Sequence, residues 1–195
     1  NLHFRIVQQG GTIFYGARAN SLTLSDDGKH WVIETSSSNS TDLKILATTI
    51  IIADGGFQAN TQLVDRYLGS KASQGTLRAL ETAAGDGLTM ALKQGGMIAG
   101  ENRGVYGHIL HRNASSDDRF LPYPIFDHLC LSAPVVNGKG ALYNHMAMDG
   151  PELTAKMLTE TDPCDYWLIL NESLWSGPAM GGGEYHATVN PGIKE

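Results

Sequence analysis

Two short stretches hold residue types that could do chemistry. In "IIIADGGFQAN", which begins at Ile50, β-branched apolar residues run into Asp54, and Gly55 and Gly56 follow before an aromatic. Glycines at the end of a strand either turn the chain or let a ligand reach the backbone, and the second use suits a dinucleotide. In "GDGL", Asp86 stands between two glycines at the start of a helical pattern. Such a carboxylate is ordinarily a cap, but it can also accept a hydrogen bond from a ribose or ribityl hydroxyl. His108, in "VYGHILH", offers an imidazole able to hydrogen-bond a carboxylate; read alone, it is first a packed or solvent-facing histidine. His108 and His111 make an H-x-x-H pair, but no third ligand stands at useful spacing and metal is excluded. Tyr106, Tyr123 and Tyr143 are phenols that could move a proton, although most tyrosines are packing residues.

These groups need elements to hold them. "NLHFRIVQQGG" reads as the last turns of a helix, with Leu2, Ile6 and Val7 on one face and Gly10-Gly11 as its left-handed stop. Three extended segments follow: "TIFYGARANSLTLS", then "KHWVIETS" after the Asp26-Asp27-Gly28 turn, then residues 43–53 after the polar loop "SSSNST". They predict a β-meander, its last strand apolar enough to be buried on both faces. Asn60 reads as an N-cap for a helix whose inward face is Leu63, Val64, Tyr67 and Leu68, with Gly69 as its stop. "GDGLTMALKQGG" is the clearest helix, with Leu88, Ala91 and Leu92 on one face and Gly95-Gly96 at its end. Beyond Gly100 the texture changes. "RNASSDDRFLPYPIFD" reads as a loop, "LCLSAPVVNGKGALYN" as two short strands around a glycine turn, and "ELTAKMLTE" as an amphipathic helix. "YWLILN" reads as a buried strand and "GPAMGGGEYH" as a loop.

The totals exclude several classes. The 195 residues are 42% hydrophobic and 17% charged, which permits a core and excludes wholesale disorder. The net charge of −6, with Lys and Arg scattered, gives no surface for nucleic acid or anionic lipid. No apolar run approaches the roughly 20 residues of a membrane span. Cys130 and Cys164 belong to no CxxC pattern and read as reduced thiols rather than a disulfide. With no basic-then-apolar export pattern, the expected location is cytoplasmic. A chain that opens inside an element is expected to be a piece of something larger.

Taken in order, the meander ending in "ADGGFQAN", the helix with "RYLG", the small-residue loop and "GDGLTMALKQGG" resemble the flavoprotein subunits of the fumarate reductase and succinate dehydrogenase superfamily. That family usually writes the two motifs A-T-G-G-F and T-G-D-G-L. The nearest texture is that of the FAD-dependent dehydrogenases that include tricarballylate dehydrogenase, a branch that tolerates Asp54 in place of Thr and carries "YGH" shortly after the helix. The 3-oxosteroid dehydrogenases are more distant relatives. The resemblance covers residues 11–110.

It implies an α+β fold: the second half of an FAD-binding, Rossmann-like domain with a β-meander in residues 1–105, and an incomplete α+β capping domain in residues 106–195. It implies FAD as cofactor, with Ala19 pairing its backbone with the adenine edge, Ala53, Asp54, Gly55 and Gly56 against the FAD, and Asp86 as a further contact. It also implies that His108 is the substrate-binding histidine of the catalytic site, acting on a small carboxylate. Hydride would pass between the flavin and a carbon pair of that substrate.

Three parts of the family pattern are missing. The G-x-G-x-x-G that opens a βαβ unit is absent, as is the C-terminal segment with a further His and Arg. "GALYNHMAMDG", where the family places a proton-donating Arg, contains none. Without the pyrophosphate cradle, the chain alone is expected to bind FAD weakly or not at all, to show no turnover, and to self-associate through an incomplete core. The alternatives are a non-catalytic binding or structural remnant and a 3-oxosteroid-type dehydrogenase.

Overall fold

The computed structural model describes residues 2–37, 41–100, 104–110, 112, 126–130, 133–143, 150–159 and 165–173. It is an α+β chain of short helices and two small antiparallel sheets. Contacts divide it into two units: Asn1–Gly56 with Gly85–Ala99, and Phe57–Ala84 with Gly100–Glu195.

The first unit begins with helix α1 (Leu2–Gln8), which buries none of its residues. Its end is a Schellman motif: Gly11 N–H donates to the Ile6 carbonyl at 2.9 Å and Gly10 N–H to Val7 at 3.0 Å, with Gly10 at φ 81°. The meander forms as β1 (Ala17–Leu24), β2 (Trp31–Ser37) and β3 (Lys44–Ala47), paired antiparallel in the order β1-β2-β3. The β1–β2 turn is the expected one. Gly28 takes φ 68°, and the Asp27 carboxylate receives both the Ser25 hydroxyl at 2.6 Å and Lys29 N–H at 3.1 Å. Those donors, the Ser25 hydroxyl foremost, hold the Asp27 carboxyl below its ordinary value.

The third strand is shorter than its sequence suggests. It stops at Ala47, and Ile51 and Ile52 are 87% and 44% exposed rather than buried on both faces. A doubly buried strand needs a neighbour on each side, and among the described residues no strand pairs with residues 48–56. Helix α3 (Asp86–Lys93) completes this unit. Its Gln94-Gly95-Gly96 end repeats the α1 motif: Gly96 N–H reaches Ala91 at 3.0 Å and Gly95 N–H reaches Leu92 at 3.1 Å.

The second unit contains α2 (Thr61–Leu68), capped by the Asn60 side chain, which accepts Leu63 N–H at 3.1 Å. Its inward residues are those expected, with Val64 buried and Leu63, Tyr67 and Leu68 half-buried. Between α2 and α3 the small-residue stretch makes one 3-10 turn, Ala72–Gln74.

Helix α4 (Asp127–Cys130) and helix α5 (Gly150–Thr159) pack with a sheet of β4 (Val135–Asn137), β5 (Leu142–Tyr143) and β6 (Tyr166–Leu168), in the order β5-β4-β6. Leu129 and Cys130, read above as the start of a strand, lie in α4 instead. The β4–β5 hairpin forms as expected, with Val135 opposite Tyr143 and Gly140 at φ 75°. Strand β6, read above as buried, is half-buried: Tyr166 and Leu168 pack against the core while Trp167 is 56% exposed.

The core of the second unit is Cys130, Val135, Tyr143, Leu153 and Met157. Burial, with the nearby Asp127 charge, pushes the Cys130 thiol up to about 12. Of the polar and loop readings, residues 38–40, most of "RNASSDDRFLPYPIFD" with Tyr123, His111, Cys164 and the whole of "GPAMGGGEYH" lie outside the described residues. So do residues 144–149 of "GALYNHMAMDG".

Candidate functional site

Within the first unit, the two glycine motifs meet. Asp54 sends its carboxylate to the start of α3, where Oδ2 accepts the Gly87 N–H at 2.7 Å. A carboxylate there satisfies one of the helix's unpaired N–H groups and faces the positive end of its dipole. Gly87 has to be glycine for this to work: an added Cβ would overlap both the Asp54 carboxylate and the Ile52 side chain. Gly85, just before the helix, adopts φ 77°, a left-handed conformation that side chains disfavour. The "ADGG" and "GDG" motifs are therefore one structure, joined by a hydrogen bond across 33 positions of sequence.

Asp86 is turned toward β1. Arg18 donates to its Oδ2 from Nη2 at 2.6 Å and from Nε at 3.0 Å. The pair is solvent-exposed, so it adds no more than about 1 kcal/mol and less at high salt. Its chain neighbour Ala19 sits opposite Thr35 in β2, immediately before a β-bulge in which Asn20 is the extra residue. Bulges interrupt the ladder and leave backbone groups unpaired locally.

Ala53, Gly55 and Gly56 are exposed. Gly55 takes φ 89°, and no atom lies within 4 Å of where its Cβ would be. The structure thus brings Ala19, Ala53, Asp54, Gly55, Gly56 and Asp86 into one neighbourhood around the start of α3. Two of the three charged groups there, Asp86 and Arg18, already pair with each other.

His108 belongs to the second unit and is described within it. Its Nδ1 lies 2.5 Å from Asp127 Oδ2, and Asp127 Oδ1 accepts the Ile109 N–H at 2.9 Å. Phe126 N–H in turn donates to the Ile109 carbonyl at 2.8 Å, so this segment is fastened to the entrance of α4. Tyr106 stands edge-on to the imidazole, with ring centroids 5.4 Å apart. The residue before the histidine is held close to α5: a Cβ on Gly107 would come to 2.9 Å from the Thr154 methyl.

Sequence reading missed Asp127. It closes a polar and Pro-aromatic stretch, and nothing in its neighbours singles it out. Tyr143 proves to be core, buried edge-on against Tyr166 at 5.0 Å with the Lys156 ammonium over its ring. Among the described residues no group of His, Cys, Asp and Glu could hold a metal ion, and no helix is long and apolar enough to cross a membrane.

No protein-family model matches the chain, and no curated protein sequence matches it. Its backbone is similar to the crystal structure of 3-ketosteroid-Δ4-(5α)-dehydrogenase from Rhodococcus jostii RHA1 in complex with 4-androstene-3,17-dione. The TM-score is 0.64 and the sequence identity 17%, over 88% of this chain and 32% of that one. The chain thus spans less than a third of the dehydrogenase's length, and at that identity the likeness is one of fold alone.

Proposed function

We propose that this chain is part of an FAD-dependent oxidoreductase and carries some of the residues that hold the flavin cofactor and the substrate. The observation that carries the reading is the joining of "ADGG" to "GDG" through Asp54 and Gly87. Two motifs that resemble those of one flavoprotein superfamily meet at one helix start, and the backbone likeness to a ketosteroid dehydrogenase supports the same reading.

The residues present fit the cofactor. The open space over Gly55 leaves the backbone approachable by a flat or extended ligand, and the bulge beside Ala19 leaves backbone groups for an adenine edge. Asp86, its side chain 38% exposed, has a carboxylate within reach of a hydroxyl. Asp54 spends Oδ2 on the Gly87 N–H, which holds the two motifs together where the cofactor would lie. FAD, when bound, would supply the hydride chemistry. His108 would hydrogen-bond the substrate and orient it. The substrate class that suits an imidazole held by a carboxylate is a small carboxylic acid. A second reading, a 3-oxosteroid substrate, is favoured by the ligand in the similar dehydrogenase.

Titrating FAD into the purified chain tests the flavin part. Quenching of flavin fluorescence is expected only at high chain concentration, and Gly55→Val, which fills the open space, should remove it. Quenching that the variant shows equally would sink the reading. Succinate is expected to move the ring resonances of His108 while 4-androstene-3,17-dione leaves them in place. The reverse result would favour the steroid.

A further inference from the structure

Asp86 opens α3 between Gly85 and Gly87, so neither chain neighbour has a side chain to lie over its carboxylate. A carboxylate in the first turn of a helix ordinarily serves that helix as a cap or counter-charge. Here the Gly87 N–H already goes to Asp54. Asp86 instead receives two N–H groups of Arg18, and it receives both on Oδ2, at 2.6 and 3.0 Å. An arginine fork that meets both oxygens of a carboxylate spends the whole group. This pair spends half of it: among the described residues, Oδ1 receives no hydrogen bond.

Arg18 reaches Asp86 from β1, where it directly precedes Ala19 and the bulge at Asn20. A bulge raises the local twist of a strand and re-aims the side chains beside it. Because the pair is exposed, it contributes little to stability; what it does fix is the direction of a carboxylate. Nε and Nη2 lie on one edge of a rigid, planar group, so together they hold Oδ2 more firmly than a single donor would.

We propose that Arg18 is a positioning residue for Asp86: by holding Oδ2 it sets the rotation of the carboxylate and leaves Oδ1 as the oxygen given to a ligand hydroxyl. The giving of Oδ1 to a ligand rests on the flavin reading above; the orientation by Arg18 does not. An ionised carboxylate only accepts, so the ligand group at Oδ1 must donate. A hydroxyl of the cofactor's ribityl or ribose part meets that need, and an ionised phosphate oxygen does not.

The orientation is measured first, in the full chain without ligand. Couplings from the Asp86 carboxylate carbon to its backbone nitrogen and carbonyl carbon read χ1 by NMR. The wild type is expected to hold one rotamer. Arg18→Met keeps the apolar stem but has no donor, so χ1 should average, and Arg18→Lys, a single point charge, should restore the rotamer in part. An averaged side chain in the wild type, or one rotamer that survives in a folded Arg18→Met chain, overturns the proposal.

The shift of the same carboxylate carbon then reports the ligand. Flavin mononucleotide, which carries the ribityl hydroxyls, or adenosine monophosphate, which carries the ribose, is expected to move it at millimolar concentration. A response to one alone identifies the sugar part that is read, and a response to neither overturns the assignment of Oδ1. Followed at the Gly55 amide, Arg18→Met should weaken the responding nucleotide about threefold to tenfold, the worth of one misaligned hydrogen bond, and Arg18→Lys should recover part of the loss. In an Asp86→Ala chain the same Arg18→Met change should cost nothing further. An equal cost in both backgrounds overturns the proposal, because Arg18 would then touch the nucleotide itself. Flavin quenching that Gly55→Val leaves intact would remove the flavin reading instead, and an Asp86 rotamer set by Arg18 would still stand.

Discussion

Leu153→Ala is expected to destabilise the second unit by about 3–4 kcal/mol, the middle of the range for a leucine removed from a core. Leu153 is fully buried, at 0% exposure, and it meets residues from three other elements: Cys130 of α4, Val135 of β4 and Tyr143 of β5. The truncation leaves a cavity that these neighbours can close only by moving a helix and a sheet toward each other. Tyr143 is edge-on to Tyr166 and lies beneath Lys156, so it has little freedom to follow. Chemical denaturation of the wild type and the variant measures the difference. Leu142→Ala, beside Tyr143 in β5 but 66% exposed, is the control and should shift stability by less than about 0.5 kcal/mol. A loss below about 1 kcal/mol at Leu153 would show that this cluster is not the core that holds the unit together.

The second large effect belongs to Gly87. Glycine to alanine inside a helix ordinarily stabilises, by up to about 1 kcal/mol. Here the sign should reverse, because the new methyl group would occupy the space of Ile52 and of the Asp54 carboxylate. Overpacking typically costs about 1–3 kcal/mol and loss of the cap about 1 more, so Gly87→Ala is expected to lose about 2–4 kcal/mol. Asp54→Ala alone should lose only the cap. In the double variant the two losses should overlap, with a total about 1 kcal/mol smaller than their sum, as expected for groups in direct contact. Simple additivity would mean that Asp54 and Gly87 do not act together. A stabilised Gly87→Ala would mean that the clearance over α3 is not filled at all.

How legible the chain was depended on the range over which each interaction acts. The helix ends were readable because they are local. Gln9-Gly10-Gly11 and Gln94-Gly95-Gly96 make the same pair of closing hydrogen bonds, which need a left-handed residue that glycine supplies most readily. Asn60 and its four-residue inward face were readable for the same reason: cap and stripe are set within two turns. Residues 50–54 were not. β-branched residues report that a segment could be a buried strand, but pairing decides whether it is one, and β3 ends before them. At the candidate site, Asp54 and Asp86 could be located from their glycines, while what each one touches could not. Arg18 stands 68 positions from Asp86, and Asp127 stands 19 from His108. Neither partner leaves a trace in the sequence around the other.

The division of the chain also bears on the order in which it can assemble. The first unit is made on two visits: residues up to Gly56, then Gly85–Ala99. The departure and the return are each fastened. Asp54 holds Gly87 on the first unit's side, while the second unit ties Ala59 N–H to the Ala83 carbonyl at 3.0 Å and Asn60 to the Ala84 carbonyl at 3.2 Å. During synthesis the meander leaves the ribosome first, and it waits for α3 until the whole excursion has been made. The delay depends on translation rather than on closure, since doubling the length of such an excursion adds only about 0.6 kcal/mol of entropy cost. Sheet first, helix later is thus a timetable imposed by connectivity, and Asp54 is the residue left waiting for its partner.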